Sequence, residues 1–285
     1  MDSRESNALS RELGDALRRA RRRSEVRFGA LVEELGWSAG KVSKLERGTR
    51  GTSPVDIARY VGHLRTDQPT YDHIMGLAQE PNTGHLVRPH ELAVPDSLRA
   101  LLLHEQTARI IWSYQVIMIP GLLQTIDYAC ALMNRTDGEH RAAERVARQR
   151  IFDNPRPPEG RFFVHEAALL RVVGGAQVMY EQMLQLLFRD GVRLVPFAAS
   201  LPASLNSGFS FMNFTDHPPV SYVESGPVAL FSDAVETTDL FGQCCNDLDL
   251  VAVSEEESRS VFAEWADRYD RLREEQSAPG GEAVA

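Results

Sequence analysis

The chain has 285 residues, 43% of them hydrophobic and 25% charged, the composition of ordinary soluble globular protein with room for one large domain or two smaller ones. Its net charge of −9 is uneven, about +5 over residues 1–65 and about −14 beyond, which invites a nucleic-acid partner for the basic part. No apolar run nears the roughly 18–20 residues of a membrane span, the polar N-terminus lacks the apolar core of a signal peptide, and three cysteines (Cys130, Cys244, Cys245) cannot build a disulfide framework; no membrane association and a cytoplasmic location are expected.

The first 80 residues read as short amphipathic helices. Leu9, Leu13, Ala16, Leu17 and Ala20 share one face of a first helix, with arginines on the other. Phe28, Leu31, Val32 and Leu35 share a face of a second, which Gly36 stops. Ser38 caps a third helix with Val42 and Leu45 pointing inward and Gly48 ending it. Ser53 caps a fourth, with Pro54 in its first position and Val55, Ala58, Val61 and Leu64 as its core face. A fifth, near Thr70 to Gln79, buries Ile74 and Leu77.

The stretch GWSAGKVSKLERG, Gly36 to Gly48, holds both lysines among the chain's 31 basic residues, Lys41 and Lys44. Its two glycines and lysine suggest a nucleotide phosphate loop, but the spacing is one residue short, Val42 stands where a magnesium-binding hydroxyl is needed, and the preceding LVEEL is helical rather than a buried strand. The spacing Leu31–Leu35–Gly36–Val42–Leu45 instead suits a helix-turn-helix. Apolar residues set the crossing, a glycine makes the turn, and the third helix exposes Ser38, Ala39, Gly40, Lys41, Ser43, Lys44 and Arg47. Small residues at its start permit close entry to a major groove, Ser and Lys donate to base edges, and Arg22, Arg23, Arg27 and Arg50 reach phosphates.

LGWSAGKVSKLERG resembles the turn and recognition helix of the Xre-type helix-turn-helix family, the fold group of the phage repressors, over roughly residues 10–80. The resemblance implies that Ala39, Gly40, Lys41, Ser43 and Lys44 sit in the groove, with Arg47 and the Gly48–Arg50 turn near the backbone. In that family the second helix opens with Ser or Thr, then Gln, then an acid. Arg27-Phe28-Gly29 replaces them here, so the cap is lost and Arg27 is left to meet phosphate by charge.

Residues 81–95, with three prolines, read as a linker. The rest alternates: a helix over DSLRALLLHEQTA, a strand over RIIWSYQVIMIP, helices over GLLQTIDYACALMNR and GEHRAAERVARQRIF, a strand at RFFVHE, and a helix over AQVMYEQMLQLLFRDG. An antiparallel set is expected at VRLVPFA, FSFMNFT, VSYVES and PVALFS, followed by two helices, the last with Ser254 and Glu257 as a capping box. Residues 276–285 form a tail. The fold class is α+β: an N-terminal all-α, phage-repressor-like helix-turn-helix domain (1–80), then a mixed α+β regulatory domain (96–275).

That second part carries no nucleophile elbow, dinucleotide fingerprint or metal-ligand spacing. His85 and His90 make a weak metal pair. His165-Glu166 reads equally as an acid–base pair or a polar cap, and Trp112, Tyr114, Phe209, Phe211 and Tyr222 as pocket or core. No catalytic residue, cofactor or metal is expected. PGLLQTIDYA, Pro120 to Ala129, with the surrounding segments resembles the C-terminal domain of the WhiJ-like actinobacterial regulators of development and antibiotic production. The resemblance implies a regulator with no established enzymatic activity, of a family often encoded beside small partner proteins in an antitoxin-like arrangement. The expectation is a homodimer binding double-stranded DNA at a pseudo-palindromic operator; the alternatives are an antitoxin-like interaction module, or a small-molecule sensor or enzyme in the C-terminal part.

Overall fold

The computed structural model describes residues 6–49, 53–89, 96–133, 138–226 and 228–277. The chain divides into two compact units, one of residues 1–104 with 213–238, the other of 105–212 with 239–285.

The first unit opens with α1 (Ala8–Arg23), α2 (Phe28–Leu35), α3 (Ala39–Glu46), α4 (Pro54–Leu64) and α5 (Gln68–Gln79). Short polar side chains start four of them. Asn7 and Ser10 form a reciprocal capping box at α1, and Ser38, Ser53 and Asp67 accept from the Lys41, Asp56 and Thr70 amides. The α2 cap position is Arg27, which makes no side-chain cap bond. Gly36, at φ 63°, stops α2 in the left-handed region that glycine enters without strain.

Leu9, Ala16, Leu17, Leu31, Leu35, Val42, Leu45, Tyr60, Val61, Leu64, Ile74 and Leu77 are buried together with Ile57. Five expected core positions differ. Leu13, Phe28, Val32 and Ala58 are half-buried, and Val55 is 75% exposed. The buried face of α4 runs through Ile57, Val61 and Leu64, and Val55, two residues before Ile57, turns away from it. Gly14 of α1 and Gly48 after α3 meet backbone to backbone. A Cβ on Gly48 would lie 2.2 Å from the Ser10 carbonyl oxygen, and one on Gly14 would lie 2.6 Å from the Gly48 nitrogen.

The segment read as a linker contains a strand, β1 (His85–Pro89), which pairs antiparallel with β7 (Val228–Ser232); β7 pairs antiparallel with β6 (Val220–Ser225). Arg88, 7% exposed, is the cause: it bonds Glu12 of α1 at 2.7–3.1 Å and Glu80 at 2.9 Å. A buried guanidinium needs carboxylate partners, and these fix the strand to the helical head. His90 lies outside the described residues, as do all of 90–95.

In the second unit β2 (Ile110–Gln115), β3 (Glu159–His165) and β4 (Val192–Val195) run parallel, with Tyr114 opposite Phe163 and Val164 opposite Leu194, and β5 (Phe209–Asn213) lies beside β2. The chain reaches β2 through α6 (Asp96–Thr107). VRLVPFA is therefore not part of an antiparallel set. A parallel neighbour needs a long crossover, and α9 (Ala167–Leu170) and α10 (Ala176–Leu187) supply it between β3 and β4, as α7 (Ile126–Met133) and α8 (Gly138–Ala147) do between β2 and β3. Two helices close the chain, α11 (Val235–Val251) and α12 (Glu255–Ser277). Ser254 and Glu257 exchange hydrogen bonds at the start of α12 as the capping box predicts, and Ser258 accepts from the Leu194 amide at 2.8 Å. The helix runs to Ser277, into the expected tail; residues 278–285 lie outside the described ones.

PGLLQT is a strand-to-helix turn. Gly121–Leu123 form a 3-10 turn, and Gln182 of α10, fully buried, accepts from the Thr125 amide at 2.9 Å and donates to the Leu123 carbonyl at 2.8 Å. Trp112, Tyr114, Phe209, Phe211 and Tyr222 are all buried core: Trp112 stacks on Phe163 and Tyr114 meets Phe209 edge-on. Helices in the N-terminal part followed by a mixed α+β part make the fold class the one read from the sequence.

Candidate nucleic-acid interface

The third helix, α3, is held from behind. Val42 is fully buried and Leu45 nearly so, which fixes which face of α3 looks outward. Glu46, 6% exposed at its C-terminal end, accepts from Arg21 Nε at 2.6 Å, Arg21 Nη2 at 2.9 Å and the Tyr60 hydroxyl at 2.6 Å. One carboxylate thereby ties α1, α3 and α4 together. Burial alone would push its pKa up; the hydrogen bonds from Arg21 and Tyr60 outweigh that and hold it below the ordinary value. Burial followed by the bond to Glu46 pushes the Tyr60 hydroxyl far up, so it stays a donor. Arg59 Nη2 donates to the Leu35 carbonyl at 2.8 Å, bracing the end of α2 against α4.

The outward face then carries Ser38, Ala39, Gly40, Lys44 and Arg47 exposed, with Ser43 half-buried. A Cβ on Gly40 would meet nothing within 4 Å, so the helix start is open to close approach. An α-helix is about 10–12 Å across with its side chains, which a major groove about 12 Å wide admits, and α3 is a short helix of eight residues. Lys44 carries no ion pair among the described residues, and Arg47 Nε makes only a 3.3 Å bond to its own-turn Ser43 carbonyl. Arg22 and Arg23 on the last turn of α1 and Arg27 before α2 are exposed; Arg50 lies outside the described residues.

Lys41, also expected in the groove, is engaged within the chain. Its Nζ is 2.9 Å from Asp56 Oδ2 and 3.7 Å from the centre of the Trp37 ring. Phe28, in the unusual α2 opening, is half-buried with the Arg21 guanidinium 5.7 Å from its ring centre. Trp37, Asp56 and the Arg21–Glu46–Tyr60 hub escaped the sequence reading. An acid in the first turn of α4 and a tryptophan beside the α3 cap were the available signals, but both also have ordinary helix-capping explanations.

The other candidate groups are spent locally. His165 Nδ1 accepts from the Ala167 amide at 3.1 Å and Glu166 accepts from the Phe197 amide at 2.9 Å, so both side chains are engaged with backbone amides. His85 Nδ1 contacts the Ser232 hydroxyl at 2.9 Å, and no group of three metal-ligating side chains occurs among the described residues. No helix of the described residues is long and apolar enough to cross a membrane.

Residues 12–74 match a helix-turn-helix domain model, and residues 98–264, more than half of the chain, match the model described as a domain of unknown function, DUF5753. The chain belongs to the DUF5753 family. No curated protein and no solved structure matches it. The helix-turn-helix match coincides with α1–α5, and the DUF5753 match begins in α6 and ends within α12, so the family's segment supplies residues 213–238 to the unit that contains the helical head.

Proposed function

We propose that the chain is a sequence-specific DNA-binding transcriptional regulator of the Xre type, resembling the WhiJ-like actinobacterial regulators. One observation carries the reading: α3 is anchored by Val42, Leu45 and Glu46 while Ser38, Ala39, Gly40, Lys44 and Arg47 stand exposed on its outer face. One such helix reads few base pairs, so a homodimer on a pseudo-palindromic operator is the working form. The protein acts in the cytoplasm, without cofactor or metal. Genome-wide occupancy of the wild type against a Lys44→Ala, Arg47→Ala double variant tests the reading. A shared sequence motif that disappears in the variant supports it; no enriched sites in the wild type sinks it.

The DUF5753 part is read as a regulatory, non-catalytic module for an effector or a small partner protein. His165 and Glu166 are each bound to a backbone amide, which favours the non-catalytic reading, and an open cleft of about 670 Å³ between Phe152, Phe188, Arg161 and Asp249 is the place for an effector. The second reading, an antitoxin-like interaction module, is favoured by Phe188 and Leu250, 80% and 83% exposed. A small protein that co-purifies with the chain, with duplex affinity indifferent to the Lys44→Ala, Arg47→Ala pair, selects it.

A further inference from the structure

We propose that Asp56 is a built-in competitor for Lys41: its carboxylate occupies the ammonium that a DNA backbone phosphate would otherwise engage, and so lowers the head's affinity for duplex irrespective of sequence. The inference rests on the DNA-binding reading above. The chain's two lysines lie one turn apart on α3 and are treated unequally. Lys44 is exposed and without an ion pair among the described residues, whereas Lys41 Nζ sits 2.9 Å from Asp56 Oδ2 and over the Trp37 ring at 3.7 Å.

The receptor for Lys41 is fixed on each side. The Arg59 guanidinium lies 5.9 Å from the centre of the same Trp37 ring, and Arg59 is tied to the Leu35 carbonyl. Asp56 sits in the first turn of α4, its amide bound to Ser53 Oγ at 3.2 Å. The lysine stem therefore lies against the Trp37 ring and ends on the carboxylate of a residue whose backbone is fixed in the first turn of α4. The pair is nonetheless reversible: the two side chains keep 23% and 32% of their surface in solvent, where ion pairs are weak and screened by salt. A phosphate, which offers the same charge-assisted bond, can take the ammonium over, but only by displacing Asp56 and leaving that carboxylate beside the polyanion. Asp56 is thus a positioning residue. It holds the one long cation of the first α3 turn aside, so that Ser38, Ala39 and Gly40 lead into the groove while Lys44 and Arg47 carry the free charge.

The test is the full chain binding a random-sequence duplex, followed by fluorescence anisotropy across a salt series, with thermal unfolding to check each variant. Asp56→Asn is expected to tighten binding about two- to fivefold at low salt, the loss of one exposed ion pair. It also steepens the slope of log affinity against log salt by about one, the signature of one added phosphate contact. Adding Lys41→Met to Asp56→Asn returns both to the wild-type values. An unchanged slope in Asp56→Asn overturns the proposal, as does a gain that survives Lys41→Met. A measurement on the wild type needs no variant. With two lysines, nitrogen-15 lysine labelling gives two side-chain signals, and random duplex should shift that of Lys44 while that of Lys41, held on Asp56, stays in place; a Lys41 shift as large as that of Lys44 overturns the idea. If the wild type binds no duplex, the DNA-binding reading fails and this inference with it; if it binds and Asp56→Asn changes nothing, only the role of Asp56 fails.

Discussion

Glu46→Gln keeps the shape of the hub behind α3 and removes its charge. In the wild type the carboxylate accepts two Arg21 bonds and one from Tyr60, all between 2.6 and 2.9 Å, at 6% exposure. Bonds to a charged acceptor are worth about twice neutral ones, and the substitution leaves the Arg21 guanidinium short of a counter-ion, so a loss of about 3 kcal/mol is expected. Local opening of residues 42–46 should then become roughly 150-fold more frequent at neutral pH. Amide hydrogen exchange on peptides spanning α3, expressed as protection factors, reads this directly.

The pH dependence gives an independent check. The folded pKa of Glu46 lies below its ordinary value of 4.5, so its contribution is present in full above about 4.5 and is lost as pH falls through the lower folded value. The gap between wild type and variant should be widest at pH 7 and close progressively below about 4.5. A protection change under threefold at pH 7, or a gap that does not narrow in acid, would refute the role given to this carboxylate.

Gly48→Ala should destabilise the head by at least about 2 kcal/mol in thermal unfolding, because φ is 64° and the new methyl collides with the Ser10 carbonyl. Gly40→Ala, which meets nothing within 4 Å, should change stability by less than about 1 kcal/mol while weakening duplex binding at the groove entrance; unaltered binding would place the contact elsewhere. Ser258→Ala should cost about 1–3 kcal/mol, since the Leu194 amide loses its acceptor in a buried position, visible as a lowered unfolding temperature.

The helical head was legible because its determinants are local. Gly36, Ser38 and Ser53 punctuate the helices within one turn of where they act, and Val42 and Leu45 show their burial by spacing alone. What escaped depends on distant partners. β1 hides in a proline-bearing stretch because its anchor, Arg88, is buried by Glu12, 76 positions earlier. The parallel placement of β4 is set by the crossover through α10, not by its own residues. Lys41 looked like Lys44 in one dimension, and Asp56, 15 residues on, separates them in three. Val55 failed because apolar character was read as burial at a helix start that faces outward.

The confinement of lysine to α3 has a practical side. Any amine-directed chemistry on this chain, whether a laboratory acylating reagent or an enzymatic acyl transfer, finds side-chain targets only on the proposed reading helix. Of those, Lys44 is open and Lys41 is shielded by Trp37 and Asp56. A single side-chain adduct, read by mass, would therefore report whether that helix is covered, with no label engineered into the protein.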